Sequence, residues 1–571
     1  GGDPVASPAL AENAKYRYTM HPMLADLDLT AIHDENARLL IQRLLNLIEQ
    51  LSADLREAQA ENQRLRDELN RLKGEQGKPN IKGNTPTAPP TQHSSEAERR
   101  ESRPRQKRSK QATLHIDREQ VLTVAPESLP ADAEFKGYET VVVQDVVVRT
   151  DNVRFQKEKY YAASTQQTYL AALPPGYHGQ FGPGLRALAL AQYYGQGVSE
   201  PKMRAFLTQV GIQISVGQLA ALLTQEQEAF HAEKAAVYEA GLRSSPWQQV
   251  DETLTRVDGQ NQSCHVVCNP LYSAYFTRPG KDRLTVLGVL YPQAQRTYCL
   301  NAEALQLLEH IQLPRATRRR LAQWQSAQRL DEVTFLGRVD AELPRLTVYQ
   351  RQWVLTAAAI AAYHADPDWP VIHTLVCDDA PQFDWLTAEM MGCWVHAGRP
   401  YKKLTPYVTA HQALRDAFLT RFWDYYRELR TYQQAPTAAE RERLYTTFDT
   451  LFATRTGYVH LDRLIAKTQA QKAILLRVLE HPELPLHNNA AELAVRQRVR
   501  KRDISFGPRS EAGKEAWDTF MTLAETTRKL GVSFYAYLRD RILTAHSIPP
   551  LAELIAQAAQ SLHLGDSWAA P

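Results

Sequence analysis

The sequence predicts a multidomain chain. An N-terminal coiled coil is followed by small β-rich and helix-turn-helix modules and by an α/β domain with helical insertions. Three observations carry this. The 571 residues suffice for three or four domains at ~150 residues each. Residues 31–73 hold an unbroken heptad pattern. From Trp247 onward, short strand-like runs alternate with longer helical stretches, as in mixed α/β domains.

The elements follow in chain order. Residues 1–30 have no clear period and read as a tail or non-native residues, with Met20 as a candidate native start. In 31–74, Ile41, Leu44, Ile48, Leu51, Leu55, Ala58, Asn62, Leu65, Leu69 and Leu72 recur at spacings of three and four. This is the a/d seam of a leucine zipper, and an Asn at an a position favours one register and a parallel dimer. The g-to-e′ pairs Glu61–Arg66 and Glu68–Lys73 are attractive between parallel chains. Gly74 ends the helix. Residues 75–112, rich in Pro, Ser, Gln and Arg, form no core and read as a disordered basic linker. Residues 113–175 read as a small β-rich module, with strand-type alternation strongest at Glu139–Arg149.

Residues 176–240 read as a helical module. Ser199 and Ser215 stand as N-caps of two short helices joined through Gly211, a helix-turn-helix pattern. Residues 241–546 read as the α/β domain, with helical insertions near 302–350 and 404–480. Strands are expected at Trp247–Asp251, Ser263–Val267, Ser273–Phe276 and Val371–Cys377. Leu284–Tyr291 is a further apolar run, and Ser505–Ser510 a short irregular stretch between helices. Residues 547–571 read as a C-terminal tail.

Composition excludes some classes. No apolar run reaches 18 residues; the longest, Val354–Ala365, reads as a buried helix. A membrane-spanning protein is therefore not expected. No basic start leads into an apolar segment, so secretion is not expected either. Five cysteines, none in a CxxC pair, fit a reducing cytoplasm. Cys264 and Cys268 lie four apart in an expected strand, ~13 Å at strand rise, too far to share a metal.

Charge is patterned although the net is only +3. Arg99, Arg100, Arg103, Arg105, Lys107, Arg108 and Lys110 form one basic run. Arg496, Arg500 and Arg502 belong to a second, from Arg496 to Arg509. Such runs neutralise phosphates; alone, each is equally a solvated linker or helix face.

Three acids stand where chemistry is usually done. Asp251 closes the first expected strand, Asp378 follows the buried strand ending at Cys377, and Glu492 opens a helix. A carboxylate at the end of a buried strand is costly without a compensating cation. Two strand-end acids and a helix acid can form an oxygen-only site suited to Mg²⁺ or Mn²⁺. Two such ions can serve a phosphodiester displacement.

The stretches around these acids resemble a known family. VDET at 250–253, VCDDAPQF at 376–383, CWVHAGRPYKKL at 393–404, HNNAAELAVRQRVRKRDISFG at 487–507 and ETTRKLGVSFYAYLRDRI at 525–542 are similar to the DDE transposases of bacterial insertion sequences, specifically the insertion-sequence-sixty-six family. The resemblance covers roughly 185–545 and the zipper-like N-terminus. It implies an RNase H-like catalytic domain that cuts transposon ends and joins the 3′-OH to target DNA, with two Mg²⁺ or Mn²⁺ ions. The implied triad is Asp251, Asp378 and Glu492, as catalytic residues and metal ligands. Asp379 is the rival for the second place. Glu252 and Asp384 are not expected to be ligands. His396, Asn488 and Asn489 are implied neighbours of the site, and Arg399, Lys402 and Lys403 implied DNA contacts. The implied partners are double-stranded DNA, as terminal inverted repeats and target, and a second copy or more through the coiled coil. The implied location is the bacterial cytoplasm, on the nucleoid.

Three departures qualify the match. Residues 113–175 lack the family's usual cysteine-rich zinc module, so no zinc is expected. His487 stands where an Asp often precedes the Asn pair. The 127-residue separation of Asp251 and Asp378 points to an inserted helical segment. Two rival readings remain: an RNase H-like nuclease that cuts without joining, and a non-catalytic DNA-binding derivative.

Overall fold

The computed structural model describes residues 32–72, 114–130, 132–177, 179–324, 326 and 328–568. The basic run from Arg99 to Lys110 and the whole linker, residues 75–112, lie outside them.

The chain opens with one long helix, α1 (Glu35–Leu72). The described residues of 114–157 carry only one short helical turn, at Pro126–Ser128, and no strand. A hairpin follows, β1 (Lys159–Ala162) and β2 (Gln167–Leu170). The expected strand at Glu139–Arg149 is not formed. Among the described residues its valines have neither a pairing strand nor a core, and Val141, Val143, Val146 and Val147 are exposed. β-propensity expresses packing against neighbours, and here there are none.

Four helices come next: α2 (Pro183–Leu190), α3 (Glu200–Gln209), α4 (Val216–Thr224) and α5 (Glu228–Arg243). Ser215 begins α4 with a reciprocal capping box to Gln218. Ser199 precedes α3 without a side-chain cap bond, and Pro201 sits in the first turn.

The centre of the molecule is a five-stranded sheet in the order β5-β4-β3-β8-β9. β3 (Trp247–Val257), β4 (Gln260–Cys268) and β5 (Ser273–Arg278) form an antiparallel meander. The β3–β4 turn is Asp258-Gly259, both with positive φ, the dipeptide that two-residue hairpins favour. β8 (Thr374–Cys377) and β9 (Glu389–Gly392) continue the sheet in parallel. β8 is buried throughout, which explains its unbroken apolar run. Residues 371–373, expected as part of this strand, are outside it.

Between β5 and β8 the chain inserts α6 (Arg283–Leu290), the short pair β6 (Thr297–Tyr298) and β7 (Leu330–Asp331), and the helices α7 (Ala302–His310), α8 (Arg315–Ala322), α9 (Glu332–Glu342) and α10 (Val348–His364). After β9 come α11 (Trp394–Lys403), α12 (Thr409–Gln434), α13 (Ala438–Phe452) and α14 (Val459–Ala470). The chain closes with α15 (Asn489–Ser505), α16 (Glu511–Lys529), α17 (Phe534–Ile542) and α18 (Leu551–Leu562). The stretch read as a C-terminal tail thus contains a helix, and Leu551 and Ile555 bury its apolar edge.

Strand alternation divides the core. Val250, Val267, Ala274, Phe276 and Leu375 join the cluster with the helices of 187–364. Cys264, Val266, Cys268 and Tyr275 pack on Ala491 and Ala494 of α15 and Met521 of α16. Cys264 and Cys268 are therefore buried packing residues. Trp247, Val376 and Met391 meet the aromatic bundle of α11–α14, built on Trp394, Phe422, Tyr425 and Phe448.

α1 docks against this bundle with its polar side. The helices α12 and α14 start after Val408 and Tyr458, whose side chains make no cap bond. α1 supplies the missing acceptors. Glu49 accepts from the Tyr407 and Val408 amides at 2.9 and 2.7 Å. Asn46 Oδ1 accepts from the Val459 amide at 3.0 Å. The seam leucines Leu44, Leu51, Leu55, Leu65 and Leu69 remain exposed.

Among the described residues no helix is long and apolar enough to cross a membrane.

Candidate active site

Sheet register brings the first two acids together. Gln249 of β3 pairs in parallel with Val376 of β8. Asp251 and Asp378 each stand two residues further on, in the same row and on the same face. Asp251 does not close its strand, as the sequence suggested. β3 continues to Val257 as a ribbon with β4, and Asp251 is opposite Val266. It is the parallel pairing with β8 that ends before Asp251.

Asn488 fastens the third element to this row. Its side-chain amide donates to the Val250 carbonyl at 2.6 Å. Gln249 Nε2 donates back to the His487 carbonyl at 3.0 Å and to Asn488 Oδ1 at 3.3 Å. The Asn488 backbone amide donates to Cys393 Sγ at 3.3 Å. α15 therefore begins beside Asp251, with Glu492 in its first turn. Asn488 and Asn489 are buried.

The electrostatics of the three acids differ. Burial pushes Asp251 up to about 7, against the hydrogen bond from the Glu252 amide, and the charges of Asp378, Glu492 and Glu252 raise it further. Glu492 is compensated: Arg399 Nη2 donates to both its oxygens at 3.1 and 3.0 Å. His396 Nδ1 lies 3.6 Å from Glu492, too long for a hydrogen bond, while its Nε2 is 2.6 Å from Arg399 Nη1. Burial, then the Arg399 charge, lower the His396 pKa, so a neutral ring accepts from the guanidinium.

The neighbouring acids are engaged elsewhere. Asp379 is exposed and pairs with Lys467 at 3.1 Å. Glu252 meets Lys281 at 3.3 Å and accepts from Gln382. Asp384 faces Arg283 at 3.9 Å.

Cys393 is the N-cap residue of α11, which carries Trp394, His396 and Arg399. Trp394 is buried in the bundle, which aims His396 and Arg399 at Glu492. Lys402, on the same helix, lies 5.4 Å from the Trp423 ring centroid. Lys403 is exposed at the helix end.

The basic helix α15 divides by period. Arg496 and Arg500 face outward, and Arg502 donates to the Leu254 carbonyl. Arg498 is fully buried. It bonds Thr277 Oγ1 at 2.8 Å and lies 3.4 Å from Asp518. Lys501 donates to the Tyr193 carbonyl at 2.7 Å and sits 3.1 Å from that ring's centroid. The sequence analysis did not single out these two. The signal was present: Ala491, Ala494, Arg498 and Lys501 continue one helical stripe toward the core.

Among the described residues, the groups whose potential ligand atoms all lie within 4.8 Å of one another are Cys393–His396–Glu492 and Glu389–Glu480–His481. The three acids are not drawn so close. Their donor set is nevertheless entirely oxygen, and no ion pair among the described residues compensates Asp251.

Two comparisons bear on the chain. The sequence profile described as "Transposase IS66 family" matches residues 339–516. That span holds Asp378, Arg399 and Glu492 and excludes Asp251. The chain is also 32% identical over 323 residues to the uncharacterized protein y4jO of Sinorhizobium fredii (strain NBRC 101917 / NGR234), covering 56% of this chain and 99% of that protein.

Proposed function

This chain belongs to the IS66 family of transposases, and on that footing we propose that it cuts the DNA ends of an insertion sequence and joins the freed 3′-OH to target DNA. The observation that carries the catalytic part is the register of β3 and β8. It sets Asp251 beside Asp378, while the Asn488 bond to Val250 adds the helix of Glu492. We read the sheet as the RNase H-like core that the resemblance implies.

The donors fit a hard divalent cation such as Mg²⁺ or Mn²⁺. Asp251, Asp378 and Glu492 would hold it, and the uncompensated Asp251 is the observation that favours it. The chemistry such ions would supply there is neutralisation of phosphoryl charge and activation of the attacking oxygen. The remaining work falls to the chain. The Arg399 guanidinium, whose Nη2 now donates to both Glu492 oxygens, can equally serve a phosphate. Neutral His396 accepts from Arg399 and fixes its plane. Asp378 is the second ligand in this reading, since Asp379 is drawn outward by Lys467.

DNA contacts are assigned to Arg496 and Arg500, to Lys402 and Lys403, to the basic run from Arg99 to Lys110, and to the helical hairpin α3–α4 as a helix-turn-helix. The exposed seam of α1 supports parallel self-association. Labelled DNA carrying the element's ends, incubated with the protein and Mg²⁺, tests the function. Cut ends joined to a second duplex are expected. Cut ends without joining would leave a nuclease, and intact DNA a binding protein.

A further inference from the structure

A second feature adjoins the acids. A cavity of about 270 Å³ opens directly beside Asp378, between α11 and α14. Its walls are apolar where Ala397, Pro400 and Leu464 line it, and polar where Thr468 and Gln471 do. Lys467 stands at its margin, paired with Asp379.

We propose that this cavity receives one nucleobase, unstacked from the DNA strand whose phosphate lies at the acids. The inference rests on the transposase reading and names a subsite for it. Three features argue for a base. The volume falls just below the ~300 Å³ at which pockets for drug-sized molecules begin, so it suits a single ring system. The lining combines apolar contact for a base face, from Ala397, Pro400 and Leu464, with the Gln471 amide for its edge, the means by which extruded bases are held. The position beside Asp378 puts a base in the cavity close to the phosphate held at that acid. Lys467 can exchange its carboxylate partner for the backbone of the extruded nucleotide. Seating a base there also fixes the strand relative to Asp378, the positional control that displacement chemistry requires.

The test uses the full-length protein and end DNA carrying 2-aminopurine at successive nucleotides around the cleaved bond. One position is expected to brighten several-fold on binding. Ala397→Trp, which fills the cavity, should abolish that signal and slow cleavage at least tenfold, with duplex affinity unchanged. An abasic nucleotide at the responding position should restore cleavage by Ala397→Trp, because no base then needs the cavity. A merely misfolded variant would not be rescued. Gln471→Leu, a milder change, should alter which base is preferred at that position. Normal cleavage with no responding position, or no rescue by the abasic substrate of an Ala397→Trp protein that keeps the wild-type circular dichroism and duplex affinity, would overturn the proposal and leave the transposase reading standing. Absence of cleavage by the unaltered protein on every substrate would instead remove the reading on which it rests.

Discussion

Replacing Glu49 by Ala should release α1 from the helical bundle without unfolding the rest. Glu49 is buried, 3% exposed. It accepts from two backbone amides and stands 3.3 Å from His411 Nδ1. Burial opposes its charge, yet the His411, Tyr407 and Val408 hydrogen bonds hold its pKa below the ordinary carboxylate value. Removing one partner of a buried charged network costs about 3–5 kcal/mol. At 1.4 kcal/mol per decade this raises the open population of α1 by roughly a hundredfold to a few thousandfold. Leu45, Asn46 and Arg56 still contribute, so the helix itself remains. Hydrogen exchange should therefore rise in residues 45–56 and 405–411, and stay unchanged in β3 and β8. Glu49→Gln keeps one acceptor and should fall between. The pH sign follows from the lowered pKa. The stabilisation is present above the unfolded carboxylate value and is lost as pH falls through the folded one. Acid should thus open the wild type locally, and Glu49→Ala should abolish that step. Unchanged exchange in Glu49→Ala would refute the docking argument.

Three further outcomes are expected. Leu65→Lys with Leu69→Lys should reduce the oligomeric state in analytical ultracentrifugation while leaving the melting temperature within a few degrees, because both are exposed seam residues and α1 docks through residues nearer its start. Arg496→Ala with Arg500→Ala should weaken DNA binding across sequences and reduce the salt slope by roughly two phosphate contacts. Lys501 has its pKa pushed down to about 7 by burial. Between that value and the ordinary lysine range the unfolded chain holds the extra proton, so this residue's contribution to stability rises with pH. The melting temperature of the wild type relative to Lys501→Met should therefore climb from pH 7 to pH 9; a flat difference would contradict it.

What the sequence revealed depended on how local the signal was. The long helix, the Ser215 cap, the meander and the break at 505–510 rest on short-range patterns, and each appears in the structure. The extended reading of Glu139–Arg149 failed because a strand needs a partner that propensity does not supply. Asp251 looked like a strand end because two acids, Asp251 and Glu252, follow Val250, whereas the ribbon with β4 continues on half-exposed residues. The three acids were singled out through their surrounding motifs, and the register of β3 and β8 sets two of them side by side. The Arg399–Glu492 pairing was not, since 93 residues separate its partners. The α1 docking was hidden for a similar reason. Heptad analysis reads the apolar seam, but Asn46 and Glu49 act from the opposite face, on helix ends more than 350 residues away.

The most direct measurement is cleavage of end DNA in Mg²⁺ by four single variants: Asp251→Asn, Asp378→Asn, Glu492→Gln and Asp379→Asn. The account predicts that the first three lose cleavage by at least a thousandfold, about 4 kcal/mol of transition-state stabilisation, and keep DNA affinity. Asp379→Asn should remain active. An inactive Asp379→Asn beside an active Asp378→Asn would move the second ligand by one residue. Full cleavage by Asp251→Asn, Asp378→Asn and Glu492→Gln would contradict the assignment of the acidic row as the catalytic centre.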